Sequence, residues 1–233
     1  MVLAILLSGG TGTRMGTNIP KQYIEVNGKP IFAYSLNALL SNIYIDKIQI
    51  VACDAWKNYI SQWICKLNGE SKFSGFSNSG DTRQLSIFNA LQDIKYCKDD
   101  DIVFIHDAAR PFLSQKQIND CLLFIKDYDG VLPVLNVKDT VYISKNGKSI
   151  SGLLNRNEVF AGQAPEAFLY GKYLKANEDL MPNQIYKING STEPAILSGM
   201  NIAMIDGDEN NFKITTSMDL TRFKQIVNQK GDC

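Results

Sequence analysis

Between Ser8 and Gln22 the sequence SGGTGTRMGTNIPKQ sets four glycines, Gly9, Gly10, Gly12 and Gly16, beside two cations, Arg14 and Lys21. Glycine lets a backbone approach a bound group closely and adopt positive φ, so the N–H groups that follow Ser8 can converge on an anion. Two cations in the same loop suit a polyphosphate whose charge must be neutralised while it reacts. The expected arrangement is backbone amides around the β- and γ-phosphates, with Arg14 and Lys21 at the α-phosphate. The loop is not a Walker loop, because Gly-Lys-Ser/Thr is missing. A nicotinamide fold is disfavoured too, since Asp54, the first acidic residue after the second strand, lies well beyond the ~20 residues that its fingerprint requires. The plain alternative is a glycine-rich turn that serves only chain geometry.

Four further stretches carry similar chemistry. Gly80, Asp81, Arg83 and Ser86 open a helix and would form a second wall of the pocket, with Arg83 opposing phosphate; an ordinary capped helix with a solvated arginine is the alternative. In His106-Asp107-Ala108-Ala109-Arg110, Asp107 could hold a divalent cation or a substrate hydroxyl, and Arg110 a phosphate. His106 is expected to be packed and hydrogen-bonded rather than a general base, because a phosphate monoester is already a competent nucleophile. Thr140, with Lys138 and Asp139, and Arg156 would contact a second phosphorylated substrate, or else decorate a solvated hairpin edge. Lys213 could reach a phosphate at the end of a sheet, or be a surface lysine.

These motifs need a scaffold that delivers them to one place. Val2 to Leu7, Lys47 to Ala52, Ile102 to Ile105 and Gly130 to Val134 have the length and apolar content of buried parallel strands. Helical periodicity separates them: Ile31 to Leu40 after Pro30, Trp56 to Trp63, Leu85 to Leu91, and about Gln115 to Lys126 behind a Ser114/Gln117 capping box. Trp56, Tyr59 and Trp63 are expected in the core rather than as a base-stacking platform. Alternating strand and helix predicts an α/β fold with a mostly parallel sheet covered on both faces. In such sheets ligands bind at the carboxyl ends of strands, where three of the polar motifs fall. From Lys138 to Leu154 an Asn-Gly turn between alternating runs predicts a hairpin, which must pack on something, a second subunit included. A helix around Phe168 to Leu180, a strand from Asn201 to Ile205 and a final helix capped by Thr216 and Asp219 complete the chain.

Composition sets the outer bounds. A chain of 233 residues, 45% hydrophobic, buries one large core. Lys+Arg and Asp+Glu both number 24, so no general attraction to nucleic acid or an acidic membrane is expected. The apolar start lacks a basic flank and no stretch reaches the ~20 apolar residues that span a bilayer, which predicts a cytoplasmic protein. Five scattered cysteines without CxxC, and His106 as the only histidine, argue for reduced thiols and against a zinc site.

In order along the chain, GGTGTRMG…PKQ, GDTRQLSIFNAL, HDAARPF, VKDTV with its hairpin, Arg156 before QAPEAF, and NFKITTSMDL resemble the cytidylyltransferases that act on 2-C-methyl-D-erythritol 4-phosphate and their relatives that act on ribitol 5-phosphate. The resemblance runs nearly end to end. It implies a single doubly wound, Rossmann-like nucleotidyltransferase domain over residues 1–233, with residues 138–156 as a protruding β-arm that makes a homodimer. It also implies Mg²⁺-assisted transfer of a cytidylyl group from CTP to a polyol phosphate with release of pyrophosphate. Gly10, Gly12, Arg14 and Lys21 would bind and activate the triphosphate, and Gly80, Asp81, Arg83 and Ser86 would line the cytidine side. Asp107, Arg110, Thr140, Arg156 and Lys213 would hold the polyol phosphate, with Asp107, Arg110 and Thr140 acting across the dimer.

The chain departs from the family pattern at Gln163-Ala164-Pro165-Glu166, where Gln-Thr-Pro-Gln is usual, and at Asn189-Gly190, where a Thr-Asp pair is expected. Both departures fall on the acceptor side, and a pocket built on hydrogen bonds to hydroxyls discriminates strongly when those partners change. They favour ribitol 5-phosphate or a related surface-polymer alditol over the isoprenoid precursor. The competing readings are a nucleotidyltransferase that uses another nucleotide or a sugar 1-phosphate, and a nucleotide-binding module without turnover.

Overall fold

The computed structural model describes residues 1–10 and 19–231. In chain order, β1 (Val2–Leu7) precedes the small hairpin β2 (Glu25–Val26) and β3 (Lys29–Pro30), then α1 (Ile31–Ser41), β4 (Lys47–Val51), α2 (Asp54–Lys66), β5 (Phe73–Ser77), α3 (Arg83–Asp93) and β6 (Ile102–Asp107). There follow α4 (Gln115–Phe124), β7 (Gly130–Asn136), β8 (Tyr142–Ile143), β9 (Gly152–Leu153), β10 (Phe160–Gly162) and β11 (Glu166–Leu169). The chain ends with α5 (Tyr170–Glu178), α6 (Glu193–Leu197), β12 (Ile202–Asp206) and α7 (Ser217–Gly231).

Among the described residues, eight strands form one sheet, ordered β5-β4-β1-β6-β11-β7-β12, with β10 pairing along the far half of β7. Its β5, β4, β1 and β6 segment is parallel, as is the β7–β12 pair, while β11 runs antiparallel to both β6 and β7. Side chains alternate across each strand, and β1 shows the consequence. Ala4 and Leu6 pack with α1, α2 and α4 on one face, while Leu3 and Ile5 pack with α3, α5 and α6 on the other. The expected doubly wound, mostly parallel α/β sheet is therefore present. Tyr23 stacks on Trp56 at 4.1 Å between centroids, and Trp56 and Tyr59 meet edge to face, so these rings belong to the packing.

The structure adds one element and corrects two. The Ser- and Gly-rich run Phe73–Ser77, for which no element is expected above, is a strand, held at the sheet edge by β4 and only partly buried. Phe168, expected in a helix, belongs to β11, because pairing with β6 and β7 overrides a local pattern that also suits a helix. His106 and Asp107 continue β6 rather than follow it. The predicted arm forms as an antiparallel pair of two-residue strands, β8 and β9, with Gly147 at φ +69° in its turn. It stands apart from the main sheet. Ser114 caps α4 through the Gln117 N–H, but the Gln117 side chain turns inward to Gln163 instead of closing the box.

At the other end of the chain, the Asp219 carboxylate accepts hydrogen bonds from the N–H and hydroxyl groups of both Thr215 and Thr216 at 2.8–2.9 Å, and Thr216 Oγ1 accepts from the Asp219 N–H at 3.2 Å. Burial raises the Asp219 carboxyl pKa, but these donors outweigh it and hold it down at about 2. Removing such a cap costs about 1 kcal/mol. Asp219→Ala is expected to lose roughly that amount at pH 7 in urea unfolding. Because the folded pKa lies below the unfolded one, the difference from wild type should persist above pH ~4 and shrink as the pH falls towards 2.

Candidate active site

The carboxyl ends of β1, β4, β5 and β6 open onto a cleft of about 510 Å³. One wall carries Gly9, Gly10 and Lys21; facing it are Ser79, Gly80, Asp81 and Arg83, with Asp107 and Lys213 beside them. Gly12 and Arg14 lie outside the described residues, as does Gly16.

The glycine segment is fixed at both ends. Ser8 is buried; its N–H bonds Val51 O at 2.8 Å and its hydroxyl lies 3.1 Å from Tyr23 Oη, so Ser8 anchors the loop and does not line the cleft. Gln22, which sequence reading left without a role, donates from Nε2 to Ser8 O at 2.8 Å and to Gly10 O at 2.6 Å. That side chain ties the returning chain to the head of the loop and thereby carries Lys21 to the cleft wall. Neither Gly9 nor Gly10 takes the positive φ that was expected. Gly9 is needed for close approach instead: a Cβ there would stand 2.4 Å from Ser79 Cβ. Gly9→Ala must force apart the loops that follow β1 and β5. A destabilisation of about 1–3 kcal/mol in urea unfolding is expected, as for other overpacked sites.

The opposite wall begins at the cap of α3. Thr82 Oγ1 accepts the Leu85 N–H at 3.1 Å, while Ser86 Oγ accepts the Gly80 N–H at 3.0 Å and donates to Thr82 O at 2.9 Å. Ser86 thus braces the Gly80 turn, and Asp81 remains exposed at the cleft rim.

Three cations surround one carboxylate. Arg83 Nε lies 3.0 Å from Asp107 Oδ1, and Lys213 Nζ and Arg110 Nε lie 3.0 and 3.5 Å from Asp107 Oδ2. Burial alone would raise the Asp107 carboxyl pKa, but Arg83, Lys213 and Arg110 hold it well below the usual carboxylate range. For Arg83 burial acts to lower the pKa, and Asp107 and Glu166 overcome it. Arg110 stays behind the cleft, with Nη1 on Asn211 O at 2.8 Å. A buried relay of Gln117, Gln163 and Asn211 fixes the segment before Lys213, and the Ile214 N–H bonds Ala109 O at 2.9 Å, bringing Lys213 to the end of β6.

His106 is fully buried with Nε2 3.0 Å from Arg110 O, so Nε2 carries the proton. Burial pushes its pKa down to about 4, and it does not line the cleft. The packed role expected of it holds.

Asp107 and Arg110 cluster with the Arg83 and Lys213 of their own chain, beside the same chain's Lys21. Thr140 and Arg156 lie exposed on the arm, where Arg156 Nη1 donates to Lys138 O at 2.9 Å. Asp107 also makes a poor ligand for Mg²⁺: both its oxygens already face cations, whose charge opposes a divalent ion. Among the described residues no group of three or more His, Cys, Asp or Glu side chains is placed to hold a metal.

Sequence reading did not find the residues behind Arg83. Arg83 Nη1 donates to Ser191 Oγ at 2.6 Å, Ser191 Oγ donates to Glu166 Oε2, and Arg83 Nη2 stands 4.0 Å from that same oxygen. Burial raises the Glu166 carboxyl pKa against the opposing pull of Arg83 and Ser191.

The family model described as 2-C-methyl-D-erythritol 4-phosphate cytidylyltransferase (IspD) matches residues 2–229. The chain is 37% identical over 227 residues to the 2-C-methyl-D-erythritol 4-phosphate cytidylyltransferase of Clostridium beijerinckii, covering 97% of this chain and 98% of that one. It is 29% identical over 233 residues to the ribitol-5-phosphate cytidylyltransferase of Lacticaseibacillus paracasei, covering 99% of each. The crystal structure of the Francisella tularensis 2-C-methyl-D-erythritol 4-phosphate cytidylyltransferase superposes with a TM-score of 0.81 at 29% identity, over 96% of this chain and 98% of that one.

Proposed function

We propose, from the premise that this chain belongs to the 2-C-methyl-D-erythritol 4-phosphate cytidylyltransferase family and is a nucleotidyltransferase, that its acceptor is 2-C-methyl-D-erythritol 4-phosphate itself. A phosphate oxygen of the acceptor attacks the α-phosphorus of CTP. The bond from that phosphorus to the oxygen bridging the β-phosphate breaks, and pyrophosphate leaves with the electron pair. No base is required, and His106 is out of reach. Gly9, Gly10 and Lys21 form the triphosphate wall; Arg83, expected on the cytidine side with Gly80, Asp81 and Ser86, is reassigned to the acceptor side because its Nε pairs with Asp107, and with Asp107 and Lys213 it holds the acceptor. Lys21 and Arg14 would offset the charge that grows at the α-phosphate, and positioning supplies the rest. A divalent cation would arrive on the phosphate oxygens of the nucleotide, not on Asp107.

The observation that carries this choice of acceptor is the near full-length similarity to relatives of that name. The sequence-based lean to ribitol 5-phosphate is withdrawn. Its two grounds, Ala164 and Asn189, do not line the cleft: Ala164 is buried, with its carbonyl accepting from Asn211 Nδ2 at 3.0 Å, and the Asn189 N–H donates to Glu193 Oε2 at 2.7 Å. The similarity to a ribitol-5-phosphate cytidylyltransferase keeps that acceptor as the second reading.

The test is pyrophosphate release and mass analysis of the product with CTP and either acceptor. The expected result is a kcat/KM for 2-C-methyl-D-erythritol 4-phosphate at least about tenfold the higher, a difference that two or three pocket contacts supply. The reverse preference would overturn the acceptor. Tight CTP binding with no pyrophosphate released from any alditol phosphate would leave a nucleotide-binding module. The arm supports a homodimer, because Tyr142, Ile143, Ile150 and Leu153 expose apolar surface on a hairpin too small to be stable alone. A solution mass equal to one chain would refute it.

A further inference from the structure

Glu166 opens β11, the one strand that runs antiparallel between β6 and β7, and it pairs in register with Ile105 at the heart of the sheet. A carboxylate so buried is costly unless hydrogen-bond donors and positive charge compensate it. Both compensations here lead to Arg83. Ser191 Oγ donates to Glu166 Oε2 and accepts from Arg83 Nη1, and Arg83 Nη2 faces the same Glu166 oxygen at 4.0 Å. Ser191 is itself held, since its carbonyl accepts from Tyr173 Oη at 2.6 Å, and Tyr173 Oη accepts from Gln84 Nε2 at 3.1 Å. On its other side Arg83 Nε reaches Asp107. All three guanidinium nitrogens are thus engaged, so the plane of the fork is determined. One edge is set by Asp107 in the cleft, and the other by a pair that does not touch the cleft at all.

We infer that Glu166, acting through Ser191, is a positioning residue that orients Arg83 for the phosphorylated acceptor. The inference rests on the acceptor wall proposed above. A guanidinium recognises phosphate through a planar fork, so rotation of that plane misaligns its donors even when its charge is unchanged.

Glu166→Ala is expected to raise the acceptor KM about tenfold while the CTP KM stays within about twofold, because loss of alignment at one wall need not disturb the other. Ser191→Ala cuts the relay and should move the same constant in the same direction. Glu166→Gln keeps an oxygen that can accept from Ser191 and should recover most of the loss. On an Arg83→Lys background, Glu166→Ala should add no further loss, since the fork it aligns is gone. An unchanged acceptor KM in Ser191→Ala, an equal rise in the CTP KM, or additive losses with Arg83→Lys would overturn the inference; Ser191→Ala and Glu166→Gln decide it even if Glu166→Ala does not fold. A second readout needs no substrate. The Arg83 Nη–H nuclear magnetic resonance signals should exchange with water at least about tenfold faster in Ser191→Ala than in wild type, because Nη1 is the nitrogen that Ser191 Oγ holds. Unchanged exchange overturns the positioning role, whereas wild-type silence towards every alditol phosphate overturns only the proposed function.

Discussion

Replacing Lys21 with alanine is expected to lower kcat by about 10²–10³-fold, the loss typical of removing one preorganised charge-stabilising donor. The size of the effect follows from the lack of other machinery. The attacking group is already an anion and needs no base, the carboxylates that line the cleft are Asp81 at its rim and the ion-paired Asp107, and rate must come from position and fixed positive charge. Lys21 reaches the wall because Gln22 Nε2 holds the carbonyls of Ser8 and Gly10 together. Gln22→Ala should therefore reproduce part of the loss without removing a charge. Arg14, outside the described residues, is expected to match Lys21, and the double substitution should cost less than the product of the two single losses, because groups acting on one transition state are not additive. Thermal unfolding should move by no more than the roughly 0.5 kcal/mol usual for a substitution outside the core. Wild-type turnover by Lys21→Ala would remove Lys21 from the chemistry.

Which parts of this site could be read from residue order follows a physical rule. β1, β4, β6 and β7 are short apolar runs between polar breaks, and a buried parallel strand needs nothing more to announce itself. Phe73–Ser77 has Ser or Gly at 74, 75 and 77 and is a strand only because β4 offers it a partner. The helix expected around Phe168 to Leu180 begins only at Tyr170, because pairing to residues more than thirty positions away holds Phe168 and Leu169 in β11. The cations of the site were legible as residue types beside glycines and strand ends. Their partners were not. Asp107 reads in sequence as a metal ligand or hydroxyl acceptor, and only the fold shows that Arg83, Arg110 and Lys213 already saturate it. Likewise Glu166 reads as an acceptor-side departure, yet it faces Arg83 and Ser191 from behind the wall. Gly9 was recognised for a reason other than its own: the constraint is Ser79, seventy residues on, and not its φ. Contacts between distant segments carry no periodicity, so no local pattern can announce them.

Asp107→Asn tests whether the cluster stores strain that substrate relieves. The substitution preserves shape but leaves Arg83, Arg110 and Lys213 converging without a counter-charge, and breaking a buried pair in this way costs about 3–5 kcal/mol. Because the Arg83 and Lys213 side chains are 33% and 32% exposed, water screens part of the repulsion, and about 3 kcal/mol is the appropriate expectation. The pH dependence has a definite sign. The folded-state pKa of Asp107 is depressed below its unfolded value, so its contribution is complete above pH ~4 and is lost as the pH falls towards the folded pKa. The gap in urea stability between wild type and Asp107→Asn should then be constant near neutrality and narrow in acid. Anions should act in the opposite direction. Removing Asp107 makes the cluster more positive, so inorganic pyrophosphate ought to raise the unfolding midpoint of Asp107→Asn more than that of wild type, as expected for a ligand that binds only the folded state. If Asp107→Asn unfolds at the wild-type midpoint and gains no extra stabilisation from pyrophosphate, the three cations do not depend on Asp107, and the acceptor wall is held together by something else.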